Sequence, residues 1–128
     1  MTTKQKEVLV LASKGDDIRA EVAQDALDNG GYEIGYLNDV TSHGCQSGTC
    51  SGLIYYTDTV AFYDKYEEEI ENMMYEDQQA QGNKNRAEFI ASLNGADNVG
   101  SMTQEKNLLA WYAYESQAMF LLNEIETN

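Results

Sequence analysis

The stretch from Asp58 to Asp77, DTVAFYDKYEEEIENMMYED, limits the folds open to this chain more than any other. Its acidic residues are Asp58, Asp64, Glu67, Glu68, Glu69, Glu71, Glu76 and Asp77, and Lys65 is the one base among them. Carboxylates at this density have to stay in water or find partners, because an unpaired buried charge is costly. The apolar residues recur at helical spacing. At 100° per residue, Tyr63, Tyr66, Ile70, Met73 and Met74 share one stripe, while Asp64, Glu68, Glu69, Glu71 and Glu76 take the flanks and back. The pattern predicts one long helix with a buried face and an acidic face. Twenty residues of helix span about 30 Å. The net charge then falls at one unit per roughly 4 Å, close to the one per roughly 3.4 Å along a strand of B-DNA.

The rest of the sequence reads as helices around this one. The glycines cluster and there is no proline, which favours helices that end at glycine. Thr3 to Ser13 predicts a first helix with Thr2 or Thr3 as N-cap and Gly15 beyond its end. Asp16 or Asp17 caps a second, running to about Asp28 before the break at Asn29-Gly30-Gly31. Tyr32 to Ser42 is a shorter third. Leu53 to Tyr56 fits either a strand or a buried helical turn, and helix is favoured because a lone strand leaves its backbone groups unpaired. After the acidic stretch, Gln78 to Asn107 carries the weakest pattern, with a stop at Ala80-Gln81-Gly82-Asn83 and a short helix over Ala87 to Leu93. Ser101 and Gln104 have capping-box spacing and open a last helix to about Glu126. Its stripe is Leu108, Trp111, Tyr112, Met119 and Leu122, with further apolar cover around it, so it should be central. The expectation is one all-α domain over residues 1–128, a compact bundle of about five helices with a long acidic helix and a central C-terminal helix.

The net charge of −14 bears on function. Two readings stand side by side: solubility, and a surface for a basic partner, usually one that handles nucleic acid. Direct binding to nucleic acid or to an anionic membrane is disfavoured by the sign of the charge. Two cysteines five residues apart make no disulfide framework. No signal peptide is evident, and no apolar run nears the ~20 residues that cross a bilayer. These features predict a cytoplasmic protein.

Four features invite chemistry. Glu115 projects between Tyr112 and Met119, inside the apolar stripe, so it should be buried and bonded as a general acid or base or, with more weight, as a structural carboxylate. His43, Cys45 and Cys50 are soft ligands within eight residues, but H-x-C-x4-C matches no strong zinc spacing and lacks a fourth ligand, for which Asp39 is a candidate. No metal and no cofactor are expected. Gly44 to Gly52 is glycine-rich but lacks the P-loop lysine and the strand before it. Tyr75 projects to the acidic face, where it suits a binding anchor.

The run His43-Gly44-Cys45-x-Ser47-Gly48, followed by Leu53-Ile54-Tyr55-Tyr56-Thr57-Asp58-Thr59 and Phe62-Tyr63-Asp64-Lys65, resembles a group of small acidic proteins from bacteriophages and mobile elements of gut bacteria. Leu109-Ala110-Trp111-Tyr112-Ala113-Tyr114-Glu115 is similar to that group as well. The group has no settled function. The resemblance implies a context in which small acidic proteins often inhibit host defence, including anti-restriction and anti-CRISPR proteins that imitate DNA.

The resulting expectation is a non-enzymatic inhibitor in the bacterial host cytoplasm. It would bind the basic nucleic-acid groove of a nuclease or CRISPR effector through Asp64, Glu67, Glu68, Glu69, Glu71, Tyr75, Glu76 and Asp77. No direct nucleic-acid or membrane contact is expected, and a homodimer stays open. One alternative is a small enzyme or ligand-binding domain using Glu115 with the His43/Cys45 turn. The other is an acidic phage adaptor without mimicry.

Overall fold

The computed structural model describes residues 1–42, 59–93 and 100–128. Among the described residues it is all-α, with seven helices and no strand. They are α1 (Thr3–Ser13), α2 (Ile18–Asp28), α3 (Glu33–Ser42), α4 (Thr59–Lys65), α5 (Glu67–Gln81), α6 (Arg86–Ala91) and α7 (Met102–Glu126). This corrects the expected count of about five. The acidic stretch is two helices rather than one, and the short helix expected over Ala87 to Leu93 is α6. The ambiguous Leu53 to Tyr56 and the turns from Asn94 to Val99 lie outside the described residues.

Local chemistry sets the boundaries. Thr2 and Gln5 form a capping box: Thr2 Oγ1 accepts from the Gln5 N–H at 3.2 Å, and the Thr2 N–H donates to Gln5 Oε1 at 3.0 Å. Asp17 caps α2 by accepting from the Ala20 N–H at 2.9 Å. Gly30 and Gly31, at φ 48° and 98°, carry the turn into α3, a conformation that other residues resist. Asn85 caps α6, its side chain accepting from the Glu88 N–H at 2.9 Å. Ser101 caps α7, accepting from the Gln104 N–H at 3.2 Å, while the Gln104 carbonyl oxygen turns back to the Gly100 N–H at 2.6 Å.

The break in the acidic stretch falls at Tyr66, where φ is −114° and ψ is 23°. Neither glycine nor proline causes it. Tyr66 is buried with its ring 5.0 Å from that of Phe62. Ending α4 there puts Lys65 in a last turn and Glu67, Glu68 and Glu69 in a first turn. A cation at a C-terminus and anions at an N-terminus both suit the helix dipole, typically by 0.3–1 kcal/mol each. One continuous helix would forgo both. α5 runs four residues past the expected end at Asp77, to Gln81, and closes on Gly82 at φ 73°.

The chain divides into two compact units, Met1–His43 with Tyr114–Asn128, and Gly44–Ala113. In the first, the buried side chains include Leu9, Ile18, Val22, Leu37, Val40, Leu121 and Ile125. Gln5 Nε2 donates to the Ile125 carbonyl at 3.2 Å, tying α1 to the end of α7. In the second, Phe62, Tyr63, Tyr66, Ile70 and Met74 are buried, as are Phe89 and Leu108 to Ala113. Phe89 meets Tyr112 edge-on at 5.3 Å. The apolar stripe of the acidic stretch is therefore buried, with Met73 at its margin. The stripe of α7 is buried from Leu108 to Tyr114 but continues only in part as projected. Met119 and Phe120 are exposed, while Leu122, Leu121 and Ile125 are buried as projected, with Ala118 beside them.

Candidate functional site

The second unit holds one set of carboxylates bonded to α6 and α7 and a second set that lines its surface. Arg86, at the start of α6, is the hub of the first set. Its Nη1 donates to Glu71 Oε2, its Nη2 donates to Glu105 Oε1 at 2.7 Å, and its Nε reaches the same oxygen at 3.2 Å. The Tyr63 hydroxyl donates to Glu71 Oε1 at 2.5 Å. Burial raises the Tyr63 hydroxyl, and the bond to Glu71 adds to this, so that it is pushed up to about 12. The two carboxylates hold the Arg86 guanidinium above its usual range against the opposing effect of burial. Asp77 is also committed, since it accepts from the Tyr112 hydroxyl. Burial first, and the Asp77 bond second, push Tyr112 up. Asp64 pairs with Lys106 at 2.7 Å.

Glu71 and Asp77 thus leave the outward set that the helical projection gave them. Both are half-buried and serve the packing of α5 against α6 and the first half of α7. The projection saw Arg86 only as one of few bases. Its role depends on three helices meeting, which no local spacing encodes.

The second set faces water. Glu68, Glu69 and Glu76 line one open groove of about 440 Å³, with Lys65, Tyr66, Asn72 and Met73 as its other walls. Glu68 and Glu76 are exposed and Glu69 is half-buried. Tyr75 is 62% exposed on the same helix. Glu67 is exposed too, on the far flank, where it borders a smaller cavity of about 250 Å³ with Tyr63, Glu71, Arg86 and Glu105.

The other candidate residues lie elsewhere. Glu115 lies on α7, in the first unit, with most of its surface buried, and it is one of the residues there that have an interaction partner. His43, Cys45 and Cys50 fall outside the described residues, as does Asp58. Among the described residues, no three His, Cys, Asp or Glu side chains gather as a metal site would require. No helix there is long and apolar enough to cross a membrane.

The first unit holds a polar chain that sequence reading missed. The Tyr114 hydroxyl donates to Asp25 Oδ2 at 2.5 Å and lies 2.5 Å from the Tyr36 hydroxyl. With the Tyr114 proton directed at Asp25, Tyr36 is the donor between the two tyrosines. Burial raises the Asp25 carboxyl, and the Tyr114 bond only partly offsets it. No local spacing announces it: Asp25 shares its half-buried flank of α2 with Glu21, four residues earlier, and its partners come from α3 and α7.

Residues 15–127 match the family described as a domain of unknown function, DUF7222, and the chain belongs to that family. The match begins after α1. No curated protein and no solved structure matches the chain.

Proposed function

We propose that this DUF7222 protein is a non-enzymatic inhibitor that acts as a partial DNA mimic, lodging the α5 surface in the basic nucleic-acid groove of a host nuclease or CRISPR effector. One observation carries the reading. Three carboxylates, Glu68, Glu69 and Glu76, line a single groove of α5, and the same helix carries an exposed tyrosine. With Lys65 in the same groove, the three carboxylates leave two net charges over about 12 Å of helix, or one per roughly 6 Å. That is about half the charge density of one DNA strand, which makes the mimicry partial. Asn72, Met73 and Tyr75 add contact area between the charges, as an interface needs an anchor as well as a field.

The proposed surface is smaller than the eight-residue set read from sequence. Solubility alone predicts dispersed carboxylates of equal weight, and the proposal predicts that three of them act together. The alternative pocket at Glu115 and His43 has no observation to carry it among the described residues. The test is displacement. A labelled DNA duplex bound to a purified guide-loaded CRISPR effector, or to a restriction nuclease, should be released as the protein is added. Binding that leaves the duplex in place would reject mimicry, and no binding to any basic nuclease in a host lysate would reject the partner class.

A further inference from the structure

The second unit holds another cavity, of about 250 Å³, on the other flank of α5 from the groove of Glu68, Glu69 and Glu76. Four helices of that unit, α4 to α7, build its wall. Tyr63, Glu71, Arg86 and Glu105 in this wall are bonded to one another, so their side chains are held in place before any ligand arrives. Leu109, fully buried, and Met102, largely exposed, lie seven residues apart on one side of α7 and give the cavity an apolar strip.

Part of the polar capacity of this wall is unspent. Arg86 donates twice to Glu105 Oε1, and among the described residues nothing donates to Glu105 Oε2. Glu67 is exposed, and its carboxylate has no partner among those residues. Lys106 spends one of its three N–H groups on Asp64 at 2.7 Å and keeps two. Acceptors and donors therefore border one small space, and Glu105 and Lys106 are neighbours in the chain.

We propose that this cavity binds a free aliphatic α-amino acid of about the size of leucine. The ligand's ammonium donates to Glu67 and to Glu105 Oε2. Its carboxylate accepts from Lys106, and its side chain lies on Leu109 and Met102. An α-amino acid suits the wall because both of its charged groups are carried by one carbon, as close together as Glu105 and Lys106 require. Simpler guests fit less well. Among the described residues, no three carboxylates gather as a metal ion requires. A plain carboxylate meets net repulsion, since Glu67, Glu71 and Glu105 outnumber Arg86 and Lys106. A plain amine sets its charge against Lys106 and leaves those N–H groups unused. Drug-sized ligands take pockets of roughly 300–1,000 Å³. The proposal does not rest on mimicry, because it uses none of Glu68, Glu69 and Glu76.

The test is isothermal titration calorimetry of the full chain with L-leucine, and with isoamylamine and isocaproate, which keep the side chain and one charge each. One L-leucine should bind per chain. Each analogue should bind about tenfold more weakly or worse, because it leaves a charged group of the wall without its partner. Glu67→Gln should weaken L-leucine about tenfold while the protein stays folded, and Lys106→Met should do the same. Glu126→Gln, which removes one charge at the exposed end of α7, should bind L-leucine like wild type. If Lys106→Met unfolds through loss of the Asp64 pair, Glu67→Gln and the two analogues decide the matter. The proposal is overturned if L-leucine shows no stoichiometric binding at millimolar concentration. It is also overturned if either analogue binds as tightly as L-leucine, or if Glu67→Gln leaves the affinity for L-leucine unchanged.

Discussion

Replacing Arg86 by alanine removes the one cation that holds Glu71 and Glu105 together. Breaking a buried pair by removing one partner costs about 3–5 kcal/mol, and exposed pairs contribute about 0–1. Arg86 lies between these limits: its side chain is 41% exposed, and those of Glu71 and Glu105 are 32% and 33% exposed. The three N–H···O bonds to carboxylates, discounted for that exposure, suggest a loss of about 2 kcal/mol. For a chain of this size that lowers the melting temperature by roughly 8 °C. Arg86→Lys should lose about half as much, because an ammonium keeps the charge but not the fork that reaches Glu71 and Glu105 at once. The pairing should also show as coupling. In the Glu71→Gln background, Arg86→Ala should cost less than it does alone, by about 1 kcal/mol. Thermal and urea denaturation of the four proteins measure this cycle. An unchanged melting temperature, or strict additivity of the two changes, would refute the hub.

Two further predictions concern pH, with opposite signs. Glu33, at the first position of α3, is buried, and its own backbone N–H, that of Gly31 and nearby Lys6 hold its carboxyl below the ordinary 4.5. A lowered folded value means stability present above 4.5 and lost as pH falls through the folded value; Glu33→Gln should remove that acid-sensitive part and cost about 1–2 kcal/mol at neutral pH. Asp25 is raised above 3.8 by burial, so its contribution is full below 3.8 and is lost as pH rises through the folded value. The stability of wild type relative to Asp25→Asn should therefore fall over that window, as read from urea midpoints at a series of pH values. A flat difference would show that burial on folding does not raise the Asp25 carboxyl.

Helix ends were the legible part of this chain because they depend on neighbours in sequence. Thr2 with Gln5, Asp17, Asn29-Gly30-Gly31, Gly82 and Ser101 with Gln104 all punctuate helices as their types predict. The break at Tyr66 was missed because the usual breakers are absent. Its signal was electrostatic: Lys65 followed by three glutamates is the order expected where one helix ends and another begins. The division of carboxylates between structure and surface was not legible. Helical projection places Glu71 on the outer flank, and it cannot know that Arg86 from α6 and Glu105 from α7 meet it there. The mirror case is Met119, whose place in the apolar stripe of α7 predicts burial but which is exposed, while Glu115 four residues earlier is mostly buried.

The central claim is that Glu68, Glu69 and Glu76 act as one surface, and competition measures it most directly. Labelled DNA bound to a purified guide-loaded CRISPR effector or restriction nuclease is titrated with wild type and with Glu68→Gln/Glu69→Gln/Glu76→Gln across a range of salt. The triple variant should stay folded, within about 1 kcal/mol of wild type, because relief of like-charge repulsion offsets the loss of two first-turn anions from the α5 dipole. Wild type should displace the DNA with an affinity that falls as salt rises, because such steering is screened by ions. The triple variant should displace it far less well and with a shallower salt dependence. Equal displacement by the folded triple variant, with the same dependence on salt, would contradict the account.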